Sequence, residues 1–180
     1  PLGLVIDGVS GTVDLDASTP GIYTVTNEIN IPGCALEQYQ DDIEVYELPS
    51  ATISGGGSVC AGEVVPSVEM SFTGRGNWTV NYMLGSTAQT ATTTNNPYEI
   101  VNPAAGTYSL TSVTDNVTGC TAPATGSVNV VISTAPVVNP ITTQRLCHGK
   151  QLAVPPFTSP NPGTTYTWVN LGVNNGVGTG

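Results

Sequence analysis

An internal repeat anchored on tyrosine and cysteine constrains this chain more than any other feature of its sequence. Gly21-Ile22-Tyr23-Thr24-Val25-Thr26 leads to Gly33-Cys34, and Gly106-Thr107-Tyr108-Ser109-Leu110-Thr111 leads to Gly119-Cys120. The spacing from tyrosine to cysteine agrees to within one position between the two stretches, and so does the spacing to the next cysteine. Cys34 therefore corresponds to Cys120 and Cys60 to Cys147, with a period of about 86 residues.

A period of this length fits one small β-sandwich, which needs about 100 residues or slightly fewer. The repeat predicts three units: residues 1–49 as the C-terminal half of one module, 50–135 as a complete module, and 136–180 as the N-terminal half of a third. We expect both ends of the sequence to be interior points of a longer polypeptide.

The composition predicts an all-β fold and excludes several functions. Thr and Val together supply 48 of the 180 residues, and Gly and Pro supply 35, which favours strands and turns over helices. The net charge of −10 excludes a basic surface for nucleic acid. No apolar run approaches the length of a membrane span, roughly 18 residues or more. The single His and the absence of a nucleophile motif predict a protein that is not an enzyme.

The middle module shows alternating apolar residues between turns, typical of about seven short strands. The first strand is predicted at 51–54, ended by the glycines at 55–57, and further strands at 64–72, 77–83, 107–114 and 127–133, with a short one around 98–100. The stretch 86–94 is either an edge strand or a loop. Predicted inward-facing residues are Val68, Met70, Phe72, Trp78, Val80, Tyr82, Val128, Val130 and Ile132.

The four cysteines allow three complete pairings, and the repeat selects among them. Cys60 and Cys120 belong to one module and are predicted to form a disulfide between loops. Cys34 and Cys147 are predicted to be unpaired within one chain, or to be joined between two copies. Structural disulfides would place the protein in an oxidising compartment. No C-x-x-C pair accompanies His148, so no zinc site is predicted.

The ordered motifs resemble the immunoglobulin-like and PKD-like repeats of very large secreted adhesins. The resemblance rests on Ala51-Thr52-Ile53-Ser54-Gly55, Val59-Cys60-Ala61-Gly62, Trp78-Thr79-Val80, Gly106-Thr107-Tyr108 and Thr118-Gly119-Cys120, and on Cys147-His148-Gly149 followed by Tyr166-Thr167-Trp168. Its hosts are gliding bacteria with type IX secretion. It implies tandem immunoglobulin-like sandwich modules at the bacterial cell surface, without catalytic residues or cofactors.

The expected function is a structural or adhesive stalk whose partners are neighbouring modules of the same polypeptide or filament, and surface glycans. Two alternatives remain open. One is an accessory carbohydrate-binding or spacer module of a secreted polysaccharide-degrading enzyme, with Tyr39 and Tyr46 as sugar-stacking residues. The other is a filament subunit that exchanges half-modules between chains. The Pro-containing connectors 48–50 and 134–136 are expected to be stiff.

Acidic residues are concentrated in the first 50 positions. One interpretation is that several of their carboxylates bind Ca²⁺. The alternative is that they solubilise the outer face of a strand and protect a sheet edge. The weak calcium candidates are Asp14, Asp16, Asp41, Asp42 and Glu44.

Overall fold

A computed structural model describes residues 3–137, together with residues 145, 147–149, 159 and 164–167. The described residues form strands and turns, and the all-β prediction is confirmed for them. The predicted N-terminal half-module at 136–180 lies almost entirely outside the described residues. In the part of the chain that is described, no helix is long and apolar enough to cross a membrane.

Residues 3–49 form two separate hairpins. The first pairs β1 (Val5–Ile6) with β2 (Val13–Asp14), and the second pairs β3 (Gly21–Ile29) with β4 (Glu37–Val45). The β3–β4 hairpin is the larger, with an antiparallel register that runs from Gly21 opposite Val45 to Ile29 opposite Glu37.

Residues 51–133, the two-sheet unit, contain nine further strands. They are β5 (Ala51–Gly55), β6 (Gly57–Cys60), β7 (Val68–Phe72), β8 (Trp78–Leu84), β9 (Thr87–Thr93), β10 (Tyr98–Ile100), β11 (Gly106–Asp115), β12 (Thr121–Pro123) and β13 (Ser127–Ser133). The smaller sheet has the order β10-β7-β5, and the larger has the order β6-β13-β11-β8-β9, with β12 paired to β11.

The two sheets enclose one hydrophobic core. Alternate residues of β7 and β8 are buried, which confirms the predicted inward faces of both strands. Phe72 stacks on Trp78 with 5.3 Å between ring centroids, and Tyr82 stacks on Tyr108 at 6.2 Å. Full burial of a side chain such as Met70 contributes about 1.5–3 kcal/mol.

The glycines at 55–57 end a strand, as predicted, and they also move the chain between sheets. They carry it from the smaller sheet, where β5 pairs with β7, to the larger sheet, where β6 runs parallel to β13. Gly55 and Gly56 have φ angles of 84° and 70°. A Cβ on Gly55 would collide with the Ser67 carbonyl oxygen, and one on Gly56 would lie 2.7 Å from that of Asn129. Only glycine allows this close crossing.

Three other details differ from the prediction or complete it. The stretch around 86–94 is a strand, β9, at the edge of the larger sheet. Val64 is exposed and precedes β7, which begins at Val68. Ile132, predicted to face inward, is 39% exposed near the end of β13. Alternation predicts the side to which a residue points, but not how far the facing layer extends.

The repeat has a structural counterpart in strand register and in tyrosine contacts. Gly21 pairs with Val45 as Gly106 pairs with Val130, so the same pairing recurs one repeat later in the chain. The Tyr23 hydroxyl donates to the Thr19 carbonyl at 2.7 Å, and the Tyr108 hydroxyl donates to the Ala104 carbonyl at 3.1 Å. The β3–β4 hairpin is thus built like β11 and β13 of the two-sheet unit.

Candidate functional site at the joint between hairpin and two-sheet unit

The turn between β7 and β8 presents Arg75 to the β3–β4 hairpin. Its guanidinium forms an ion pair with the Glu44 carboxylate and lies over the Tyr46 ring, 4.7 Å from the centroid. The Glu44 carboxylate raises the pKa of Tyr46, first by a hydrogen bond and then by its charge. A cation over an aromatic face is attracted by the ring quadrupole. One arginine therefore holds two side chains of the hairpin.

Asp115 holds the same turn from the side of the two-sheet unit. This residue is 2% exposed, and its Oδ2 accepts the Arg75 backbone N–H at 2.5 Å. Its Oδ1 accepts the N–H groups of Val117 at 2.9 Å and Thr118 at 3.4 Å. Burial acts to raise the pKa of Asp115, but these three donors outweigh it and lower that pKa. The ionised carboxylate is the form that fixes the turn.

Hydrogen bonds also anchor the connector between the β3–β4 hairpin and the two-sheet unit. Pro49 is buried. The Ser50 N–H donates to Thr73 Oγ1 at 2.9 Å, and the Thr73 N–H donates to the Ser50 carbonyl at 3.0 Å. The Trp78 indole N–H donates to the Thr73 carbonyl at 2.9 Å. These bonds anchor the connector to a core residue.

A cleft of about 490 Å³ remains between the two units, and most of its polar side chains are already engaged with one another. Its lining residues are Pro20, Gly21, Ile22, Glu44, Val45, Tyr46, Glu47, Gly74, Arg75, Asp115 and Thr118. Of its charged lining residues, Glu44, Arg75 and Asp115 are the partners in the ion pair and in the Asp115 hydrogen bonds. The arrangement is suited to fixing the angle between two units.

The calcium candidates are not brought together. Asp14 accepts the N–H groups of Asp16 and Ala17 within its own turn, each at 3.1 Å. Asp41 and Asp42, as neighbours in β4, point to opposite faces, and Asp42 accepts the Thr24 hydroxyl at 2.7 Å. Glu44 is engaged by Arg75. Among the residues that the structure describes, no group of three or more His, Cys, Asp or Glu could hold a metal ion.

The predicted Cys60–Cys120 disulfide is not formed, because the two residues lie at opposite ends of the larger sheet. Cys60 pairs with Ser133 of β13, and this pair lies beyond the Gly106 end of β11. Cys120 precedes Thr121, which pairs with Thr114 near the Asp115 end of β11. The register separates them by roughly 35 Å at about 3.3 Å per residue, and a disulfide requires Cα atoms within about 7 Å. All four cysteines are free, with Cys34 and Cys147 exposed.

The two proposed sugar-stacking tyrosines do not form one surface. Tyr39 is 70% exposed near the tip of the hairpin, and Tyr46 follows the other end of β4. The extended chain between them separates their backbone positions by roughly 23 Å. The guanidinium of Arg75 covers the Tyr46 ring.

The sequence analysis did not predict a role for the loop that begins at Asp115, although a recurring sequence pattern indicated its turn. Asp115-Asn116-Val117-Thr118-Gly119 shares the pattern Asp-x-Val-Ser/Thr-Gly with Asp7-Gly8-Val9-Ser10-Gly11. In both loops the aspartate Oδ1 accepts the N–H groups two and three residues later, and its carbonyl accepts the glycine N–H at 2.8 Å. The pattern is a turn that an aspartate stabilises, and at 115 the second carboxylate oxygen is used for the joint.

No protein-family model matches this chain, and no curated protein matches it significantly.

Proposed function

We propose that the chain is a non-catalytic structural segment, a stalk, of a very large bacterial cell-surface adhesin or surface filament of the gliding-motility class. The observation that carries this proposal is the fastened joint between the hairpin and the two-sheet unit. The Arg75 side chain contacts Glu44 and Tyr46 across the joint, while Asp115 holds the Arg75 turn and the bonds at Ser50 hold the connector, so rotation between the two is limited. A stalk needs fixed angles between successive units, and it needs no active site.

The strand order supports tandem immunoglobulin-like modules. The smaller sheet β10-β7-β5 faces a larger sheet that contains β13-β11-β8-β9, and the first strand of the unit continues from one sheet into the other. This arrangement has the two-layer character of immunoglobulin-like domains. The shared register of β3–β4 and β11–β13 supports the C-terminal half of a second module of the same kind in residues 1–49.

The cell-surface location is proposed from the resemblance to secreted adhesin repeats and from the Thr-rich, acidic composition. The disulfide argument for an oxidising compartment no longer supports it, because the cysteines are free. The proposed partners are neighbouring modules of the same polypeptide or filament, and surface glycans.

Small-angle X-ray scattering tests the stalk proposal on the full chain. A compact protein of 180 residues has a radius of gyration of about 16 Å. We expect a clearly larger value for the monomeric species and an elongated distance distribution. A radius near that of a compact sphere would contradict the proposal. Binding to a polysaccharide in a glycan array, lost on Tyr39→Ala, would instead favour the accessory module of a polysaccharide-degrading enzyme.

A further inference from the structure

The strand β9 ends the larger sheet on one side and leaves a row of backbone groups open. It pairs with β8 alone, and a two-residue turn joins the two strands with Leu84 opposite Thr87. In such a hairpin the closing pair exchanges backbone hydrogen bonds, and every second pair after it does the same. The backbone N–H and C=O groups of Ala88, Thr90 and Thr92 therefore point away from β8.

The bonds on the other side of β8 agree with this alternation. Gly85 and Asn77 flank β8, and both bond toward β11: the Gly85 N–H donates to the Thr107 carbonyl, and the Asn77 carbonyl accepts the Asn116 N–H, each at 2.9 Å. Odd-numbered residues of β8 thus bond to β11, and even-numbered residues bond to β9. Within the described part of the chain, no other strand pairs with β9.

Sheet edges are usually protected by charges, prolines, bulges or very short strands, and β9 has none of these. Its seven residues are Thr-Ala-Gln-Thr-Ala-Thr-Thr, and its register with β8 is unbroken. The edge strand β10, by contrast, is three residues long, contains Glu99 and follows Pro97. The β3–β4 hairpin carries carboxylates on both of its strands, at Glu28, Glu37, Asp41, Asp42 and Glu44.

Side-chain hydrogen bonds to β8 hold this open edge in its extended form. The Thr90 hydroxyl donates to the Asn81 Oδ1 at 2.7 Å, and the hydroxyls of Thr92 and Thr79 share a hydrogen bond at 3.1 Å. Both threonine side chains are thus engaged with β8, while the backbone groups of the edge stay accessible. Because the edge is already ordered, the addition of another strand costs little conformational entropy on this side.

The open edge lies on the side of the two-sheet unit opposite to the strands through which the chain enters and leaves. The entering strand β5 is at one edge of the smaller sheet, and it continues into β6 beside β13, the last strand of the unit. Two strands, β11 and β8, separate β13 from β9, which amounts to roughly 14 Å at about 4.8 Å per strand. The connectors at 48–50 and 134–136 therefore join neighbouring segments on the other side of the unit.

Charge favours a second copy of the chain as the occupant of this edge. The chain has 13 acidic and 3 basic residues, so most of its surface repels another copy. The strands β8 and β9 contain no charged residue, and Asp115, the acidic residue of β11, is buried. Two copies can therefore meet here without placing carboxylates opposite one another, whereas a basic peptide finds no carboxylate on this edge to attract it.

We propose that two copies of this chain associate side by side through antiparallel pairing of β9 with β9, so that the larger sheet continues from one copy into the other. A two-fold axis at Thr90 places Thr90 opposite Thr90, and Ala88 opposite Thr92 of the second copy. All the outward backbone groups of these residues are then bonded. The contact uses the same surface on both copies, so it closes as a dimer. This inference goes beyond the proposed function and does not rest on it.

Sedimentation velocity of the full chain at rising concentration tests the proposal, with a reducing agent present because the four cysteines are free. We expect a monomer–dimer equilibrium in wild type. Thr90→Pro removes an N–H that points outward and no bond to β8, and proline is tolerated at such edge positions. It should weaken the dimer roughly tenfold or more, because two backbone hydrogen bonds are lost across the axis. A melting temperature near that of wild type shows that the variant is folded.

A charge exchange at the axis identifies the occupant and the register. Thr90→Lys and Thr90→Glu each place like charges directly opposite one another, so each variant should be monomeric alone. An equimolar mixture of the two should form a heterodimer, because the charges at the axis are then opposite. Asn129→Lys is the matched control, since it adds the same charge to the exposed face of the larger sheet on β13, and it should dimerise as wild type does.

Four outcomes would overturn the proposal. Wild type that stays monomeric up to about 1 mM would leave the edge to an extended segment of another protein. Undiminished dimerisation of Thr90→Pro would show that the contact lies elsewhere, and so would a mixture of Thr90→Lys and Thr90→Glu without heterodimer. Loss of the dimer in Asn129→Lys would show that added charge anywhere on the sheet prevents association.

Discussion

The Asp115 carboxylate accepts three backbone N–H groups while its residue is almost fully buried. In Asp115→Asn, the amide NH₂ must face either the Arg75 N–H or the N–H groups of Val117 and Thr118. Two hydrogen-bond donors then face each other, and at least one hydrogen bond is lost. We expect the free energy of unfolding to fall by about 1–3 kcal/mol, measured by urea denaturation with Trp fluorescence. Asp7→Asn is the control, because the Asp7 Oδ1 accepts the corresponding two N–H groups within an exposed loop, and it should change stability little. Equal effects of the two substitutions would contradict the role of burial and of the Arg75 bond at Asp115.

The lowered pKa of Asp115 also predicts how stability depends on pH. A carboxyl whose pKa is lower in the folded state than its unfolded value of about 3.9 stabilises the fold above that value. The stabilisation is lost as pH falls through the folded pKa, since the proton then binds the unfolded chain more readily. We expect the difference in stability between wild type and Asp115→Asn to be constant from pH 7 to pH 5 and to shrink below about pH 4. Urea unfolding at each pH measures it, and a difference that grows on acidification would refute the assignment.

Among the secondary-structure elements, the strand crossing at Gly55 carries the clearest prediction. Gly55→Ala introduces a left-handed residue, at about 1–2 kcal/mol, and a Cβ that collides with the Ser67 carbonyl oxygen, adding roughly 1–3 kcal/mol. Gly119→Ala is the control, because Gly119 has a similar φ of 77° and no atom within 4 Å of the new Cβ. Thermal unfolding should show a much larger loss of stability for Gly55→Ala. Equal losses would mean that the crossing tolerates a side chain.

The same elements show which parts of the fold the sequence could predict. Alternation over β7 and β8 is a local property, and it identified Val68, Met70, Trp78 and Val80 as core residues. The crossing at the glycines depends on which sheet each half of the first strand joins, and no local pattern encodes that choice. The joint was missed for a related reason: Arg75 looks like a turn residue in sequence, and its partners come from the preceding hairpin.

At the scale of the whole molecule, the joint is the feature that bears on the proposed stalk. The Arg75 side chain links the hairpin to the two-sheet unit through Glu44 and Tyr46, and Asp115 holds the turn that carries Arg75. The straightness of a stalk built from such units would therefore depend on this joint.

The rigidity of the joint is measurable as a distance distribution between the two units. An exposed ion pair contributes only about 0–1 kcal/mol to stability, so Arg75→Ala should leave the melting temperature of the two-sheet unit nearly unchanged. Loss of the contacts to Glu44 and Tyr46 should nevertheless free the hairpin to rotate. Pulsed electron paramagnetic resonance reports that motion as the distance distribution between two spin labels. One label is attached to Cys34 and the other to Ala88→Cys, and the other cysteines are replaced by serine. We expect a narrow distribution in the parent protein, a clearly broader one in Arg75→Ala, and no change in Gln40→Ala, which alters the hairpin away from the joint. If Arg75→Ala kept the narrow distribution, the guanidinium would not be what orients the hairpin, and the role assigned to Arg75 in the joint would be wrong.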